Sequence, residues 1–361
     1  MDQESFIKEL GRSYIVSSLL PASVLCLILL LLFHGFIPMD FFRQVEKTNL
    51  VLLGQWLLMS IVPIWIGFFL FSSVDWIVKL YEGYYFPKFL REPLETIQRL
   101  RLRQATASYQ ELRTILEKTL EDRTEEEESA YDKKRDDAQQ ELQLNEMEIP
   151  SDEENIMPTR LGMVLKASEA YALDRYLIEA VTIWPRLFPV LPEKFLKDME
   201  EKNNHFMFLL NSSLVMYFAG IGSLLAALVG CYFVSFPHAE IVMYLKTHVA
   251  IPNGFKMVAP PLYLFFSGVL VMFGYMLYRV AVNAAEDFSL FYRAGFDLYR
   301  MDLLKQLHYE PPINLGEEKN LWMDISSFLA VGHKLEWNLD DIDYPPYHYP
   351  DLQKQPRKRR K

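Results

Sequence analysis

The chain is predicted to be an all-α membrane protein, with four transmembrane helices and a helical cytoplasmic module. Three observations predict this. Four runs, Tyr14 to Ile37, Val51 to Phe71, Phe206 to Val234 and Val258 to Tyr278, contain no Asp, Glu, Lys or Arg. Each reaches the roughly 20 residues that a helix needs to cross the hydrocarbon core. The composition joins 51% apolar residues to 23% charged ones, as expected when apolar spans alternate with polar blocks. Finally, apolar residues outside the runs recur at helical spacing, as in Leu161, Leu165, Ala172, Tyr176, Ala180 and Ile183.

Lys8 and Arg12 precede the first run, which resembles a signal peptide in that respect. Its apolar stretch is too long for one, and His34-Gly35-Phe36-Ile37-Pro38 is no small-residue cleavage site, so a retained anchor is expected. The third run is longer than a span requires and is expected to tilt or extend beyond the bilayer. Basic residues near span ends set orientation. Lys8, Arg12, Lys79, Lys88, Arg91, Lys194, Lys197, Lys202, Arg279 and Arg293 lie on one side, against Arg43, Lys47, Lys246 and Lys256 on the other. A multi-pass protein of the plasma (inner) membrane is therefore expected, with both termini and the long middle segment cytoplasmic.

The predicted organisation has five parts. Residues 1–71 hold the first pair of spans, 72–205 a cytoplasmic helical insert, and 206–283 the second pair. Residues 284–339 form a cytoplasmic helical extension and 340–361 a disordered basic tail. Within the insert, 72–120 reads as helix with breaks allowed at Pro87 and Pro93, and 121–155 is an acidic excursion with little apolar surface. Residues 158–183 read as one amphipathic helix. Trp184 to Pro192 holds three prolines, each lacking an N–H, and is expected to break that helix. It carries so much apolar surface that it is expected to be buried, either at the membrane interface or against another helix. Leu321 to Val331 is a last short helix.

Composition excludes several functions. The net charge is −10, and phosphate backbones are bound by clustered Lys and Arg, so no nucleic-acid partner is expected. Cys26 and Cys231 are the only cysteines and sit inside apolar runs; they form neither a disulfide framework nor a zinc site. The chain has no Walker loop, HExxH or GxSxG and no Cys/His cluster at metal spacing. No catalytic residue, cofactor or metal is assigned. Charged residues within spans usually mark proton relays, ion coupling or voltage sensing, and the four runs have no Asp, Glu, Lys or Arg. Asp174-Arg175-Tyr176 matches a tripeptide of rhodopsin-like receptors, but it lies in an amphipathic cytoplasmic helix of a chain without seven spans.

A few residues remain as candidates. Asn211, Ser212 and Ser213 lie inside the third run, either lining a pore or making hydrogen bonds between helices; the latter is the commoner use of such residues. Ala219, Ser223 and Ala227, like Gly222, Ala226 and Gly230, recur every four residues and allow close helix approach. Arg160 and Arg186 are candidates for an anionic ligand or lipid headgroup, or for a structural ion pair with Glu169 or Asp297. Arg293, Asp297 and Arg300 share a spacing that allows salt bridges. Trp184 is the largest side chain of the broken segment.

Several short stretches carry a resemblance. They are Leu10-Gly11-Arg12-Ser13-Tyr14-Ile15-Val16 with Leu19-Leu20-Pro21-Ala22, Tyr81-Glu82-Gly83-Tyr84, Pro158-Thr159-Arg160-Leu161-Gly162, Trp184-Pro185-Arg186-Leu187, and Phe296-Asp297-Leu298-Tyr299-Arg300 with Glu317-Glu318 and Trp322. Together they resemble a family of uncharacterised bacterial integral membrane proteins with paired transmembrane helices flanking a cytoplasmic helical insert. The resemblance covers most of the chain except the acidic block and the tail, and it implies the architecture without an activity. The expected function is a non-enzymatic scaffold or sensor whose partners are the lipid bilayer and a protein, either another chain or a second copy. The alternative is an oligomeric ion channel or pore, on the analogy of two spans, a large insert and two more spans. A membrane enzyme ranks third.

Overall fold

The computed structural model describes residues 11–33, 49–117, 156–235 and 260–331. The described residues are 89% helical and include no strand. A π-helical turn, Ile15–Leu19, leads into α1, Leu20–Phe33. α2 is Asn49–Ser72, α3 is Val74–Glu82 and α4 is Lys88–Glu117. α5, Arg160–Tyr176, and α6, Ala180–Leu187, are followed by a 3-10 turn at Phe188–Val190. α7, Glu193–Ser235, has 43 residues, α8, Pro260–Gln306, has 47, and α9 is Leu315–Val331. Three helical stretches, Gly11–Leu30, Glu193–Val229 and Pro261–Gln306, are long and apolar enough to cross a membrane. The pair Ile61–Ser72 and Val74–Glu82, bent by 63°, makes a fourth if counted as one span. The acidic excursion, the basic tail and the connection from 236 to 259 lie outside the described residues.

The chain divides into two compact units, and α7 and α8 each contribute to both. The first takes the described residues up to Val78 and those from Asn203 to Ala284. Here α7 and α8 run antiparallel, joined by serine hydroxyls that donate to backbone carbonyls. Ser213 donates to Gly274 at 2.8 Å, Ser267 to Gly220 at 2.9 Å and Ser223 to Tyr263 at 2.7 Å. The helices are close because Gly220 leaves room: a Cβ there would stand 2.9 Å from a Val271 methyl. Ala219, Ser223 and Ala227 are buried along this contact, so the row of small residues is used for packing within the chain.

The second unit takes the described residues from Lys79 to Lys202 and from Ala285 onward. Its core joins Ile178, Ile183 and Leu187 to Phe296, Leu303 and Leu304 of α8 and Trp322 and Ile325 of α9. Fully burying one such side chain is worth about 1.5–3 kcal/mol. A smaller cluster joins Ile156, Met157 and Met163 to Leu102 of α4.

The helices differ from expectation in several places, and the last of them starts at Leu315, six residues before the expected Leu321. The stretch 158–183 is two helices, because Leu177 turns left-handed at φ 55° and ends α5. A non-glycine residue there is strained; the turn is closed by the Ile178 N–H on the Ala172 carbonyl, and it delivers Ile178 fully buried into the core. Trp184 to Leu187 is helical, with Pro185 inside α6. The carbonyl that Pro185 deprives of a partner, four residues back, belongs to the exposed Val181. Pro93 likewise lies inside α4 without ending it, while the chain does turn at Gly83 to Pro87.

Candidate functional site

The densest polar cluster is built around Asp297. α5 and α8 run in the same direction here: Arg160 reaches Glu286 at 3.5 Å, and Tyr171 reaches Asp297, each 126 residues further along the chain. Asp297 accepts the Tyr171 hydroxyl at 2.9 Å and the Tyr176 hydroxyl at 2.7 Å. Arg300, one turn on, lies 4.0 Å over the Tyr176 ring, pairs with Glu318 of α9 at 2.6 Å, and donates to the Asp297 backbone carbonyl. Arg293 and Arg175 stand over the Tyr171 ring at 5.1 and 5.4 Å. Burial and the carboxylate of Asp297 push the Tyr176 phenol up to about 12 and raise that of Tyr171. Both therefore remain donors at neutral pH. The cluster ties three helices together through hydroxyl–carboxylate bonds, an ion pair and cation–ring contacts.

A second constellation comes from two of the short stretches singled out above, which meet. Gly83 has φ +93°, and a Cβ there would fall 2.3 Å from Pro158. Thr159 caps α5: its hydroxyl oxygen accepts the Gly162 N–H at 2.9 Å and its proton goes to the Glu82 carbonyl at 3.2 Å. A Cβ on Gly162 would meet that carbonyl at 2.8 Å. The joint has no space for a side chain at either glycine. Burial, reinforced by the charge of Glu169, pushes the Glu82 carboxyl up to about 7, with Lys166 and Lys79 opposing. Burial depresses Lys166, but its 3.0 Å pair with Glu169 outweighs this and raises it.

Trp184 packs its ring 4.3 Å from that of Tyr292 and 5.6 Å from Phe296, against the bare backbone of Gly295. Its half-buried indole thus lies inside the second unit. Arg186 pairs with neither Glu169 nor Asp297; it is exposed and donates to the Thr182 carbonyl of its own helix at 2.5 Å. Arg160 reaches Glu286 at 3.5 Å. Within α7, Asn211 and Ser213 are fully buried and Ser212 is buried beside them. The Asn211 amide donates to the Ser17 carbonyl at 2.8 Å. That carbonyl lacks its usual helical donor because the residue four positions on is Pro21.

Tyr171 and Lys166 complete these arrangements and were not singled out from the sequence, whereas Glu82, Thr159 and Glu318 lie in the stretches that carried the resemblance. Tyr171 acts on Asp297, 126 residues away in the chain, and Lys166 pairs within its own helix. Among the described residues, no three His, Cys, Asp or Glu side chains gather as a metal site would require. The geometry holds helices in place. Comparisons with protein-family models, with curated proteins and with solved structures gave no match.

Proposed function

We propose that this chain is a four-span membrane protein of the scaffold or sensor type, presenting a cytoplasmic helical module to a protein partner. The observation that carries the reading is the continuity of α7 and α8. At about 1.5 Å per residue, α8 is about 70 Å long, and the hydrocarbon core takes about 30 Å of it. Each helix supplies apolar residues to the first unit and core residues to the second, with no break between. A continuous helix carries a rotation or displacement from one end to the other, which a sensor requires. The polar clusters, which join helices to one another, support a structural role for the module.

The fourth span in this reading is α2, which contains no charged residue. α3, with Asp75 and Lys79, then leaves the bilayer at the bend. The pore alternative is weakened by Asn211 and Ser213, which are directed at carbonyls of neighbouring helices. The test is ion flux from liposomes holding the purified protein, run beside co-purification in mild detergent. No flux above that of protein-free vesicles, together with a reproducible stoichiometric partner, is expected. Sustained flux that scales with protein content would overturn the reading.

A further inference from the structure

α4 is turned inside out. Its Gln98 is only 7% exposed, while Phe89, Ile97 and Leu100 are 79%, 48% and 53% exposed. At 100° per residue, Phe89, Leu100, Pro93, Ile97 and Leu90 occupy one arc of about 100°. The opposite side, with Leu94, Gln98 and Leu102, faces the protein, where Leu102 packs on the Met157 cluster. Basic residues border the apolar arc: Arg101 on one edge, and Lys88, Arg99 and Arg103 on the other. Between Lys88 and Arg103 there are five basic residues and two acidic ones, Glu92 and Glu95, in a chain whose net charge is −10. Glu95 is already held by Arg91 at 2.5 Å.

We infer that this face of α4 lies in the headgroup–acyl boundary of an anionic leaflet, its apolar arc among the acyl chains and its flanking arginines on lipid phosphates. The inference rests on the membrane reading above. Apolar arcs bordered by cations mark helices that lie in the interface plane, and cations near an anionic surface strengthen that binding. The chain path agrees: α4 starts sixteen residues after α2 ends, by way of Trp76, Tyr84 and Tyr85, all exposed. Aromatics of this kind concentrate at headgroup level. A second copy of α4 fits less well. The arc from Phe89 to Leu100 is about 18 Å long, short of the three to four heptads a coiled coil needs, and two such basic faces repel.

The experiment uses the full chain with Cys26 and Cys231 replaced, carrying a nitroxide at position 97 or, as a control, at position 225 of α7. Leu225 is exposed within the third apolar run and faces lipid if that run spans. Collisions with oxygen and with a water-soluble nickel complex are measured in vesicles with and without anionic lipid. Position 97 is expected to favour oxygen in anionic vesicles, as 225 does, and to shift toward nickel when Arg99, Arg101 and Arg103 are replaced by Gln. If 97 favours nickel while 225 favours oxygen, the inference is wrong and the membrane reading stands. If both favour nickel, the membrane reading itself fails. If 97 is shielded from both reagents, a protein surface covers α4 and the inference is overturned.

Discussion

The buried amide of Asn211 shows how a polar residue comes to sit among apolar helices. Pro21 removes the N–H that would serve the Ser17 carbonyl, the backbone opens into a π turn, and Asn211 supplies the missing donor. Asn211→Leu is expected to cost about 1–2 kcal/mol, the range for interhelical hydrogen bonds in lipid. In a Pro21→Ala background, where the backbone N–H returns, the same change should cost much less. A double-mutant cycle read by unfolding in detergent checks this; equal costs in both backgrounds would refute it. Glu82 offers a second test. Its carboxyl keeps its proton up to about pH 7 in the folded chain and releases it near the ordinary 4.5 once unfolded. Folding therefore takes up a proton in that window, and stability falls as pH rises from about 4.5 to about 7. Glu82→Gln should flatten that part of the pH profile relative to the parent chain. Two identical melting profiles between pH 5 and 8 would show that the carboxyl does not titrate there.

Among the elements, α6 governs the cohesion of the second unit. Trp184→Ala strips the ring from Tyr292 and Phe296, with an expected loss of about 3 kcal/mol, the lower end for truncating a packed aromatic. Arg186→Ala, two residues on, removes one exposed bond to a carbonyl and should change stability by about 0.5 kcal/mol or less. Thermal unfolding of the two variants side by side decides the matter; comparable losses would mean that the tryptophan is not packed as described. This region also marks where sequence reasoning stops. The apolar helices were legible because their signal is local, an uninterrupted run of sufficient length. The end of α5 was not, since a left-handed leucine carries no mark and is held there by the burial of Ile178. Pro185 misled because the carbonyl it deprives of a partner belongs to Val181, an exposed residue, so the break costs little there. The Asp297 cluster was half legible: Arg300 and Asp297 share a helix, but the tyrosines that answer the carboxylate lie on α5, more than a hundred residues earlier.

For the whole molecule, the decisive question is which segments share a side of the bilayer. On the proposed topology, the excess of Lys and Arg predicts residue 145 inside and residue 253 outside. In a chain whose own cysteines have been replaced, a cysteine at position 253 should react with an impermeant maleimide on intact cells. One at position 145 should react only after permeabilisation. Equal labelling of both without permeabilisation would defeat the four-span topology and with it the proposed scaffold.

The Ser17–Asn211 bond also has a temporal side. Its two ends are separated by 194 residues, and chains are synthesised at about 5–20 residues per second. On the membrane reading, the first span therefore waits about 10–40 s for the residue that completes it. Throughout that interval an acceptor left vacant by proline must be served by water or by the insertion machinery. The opening of the chain is thus left unfinished until the third span arrives, and assembly of the membrane helices is tied to the order in which they are made.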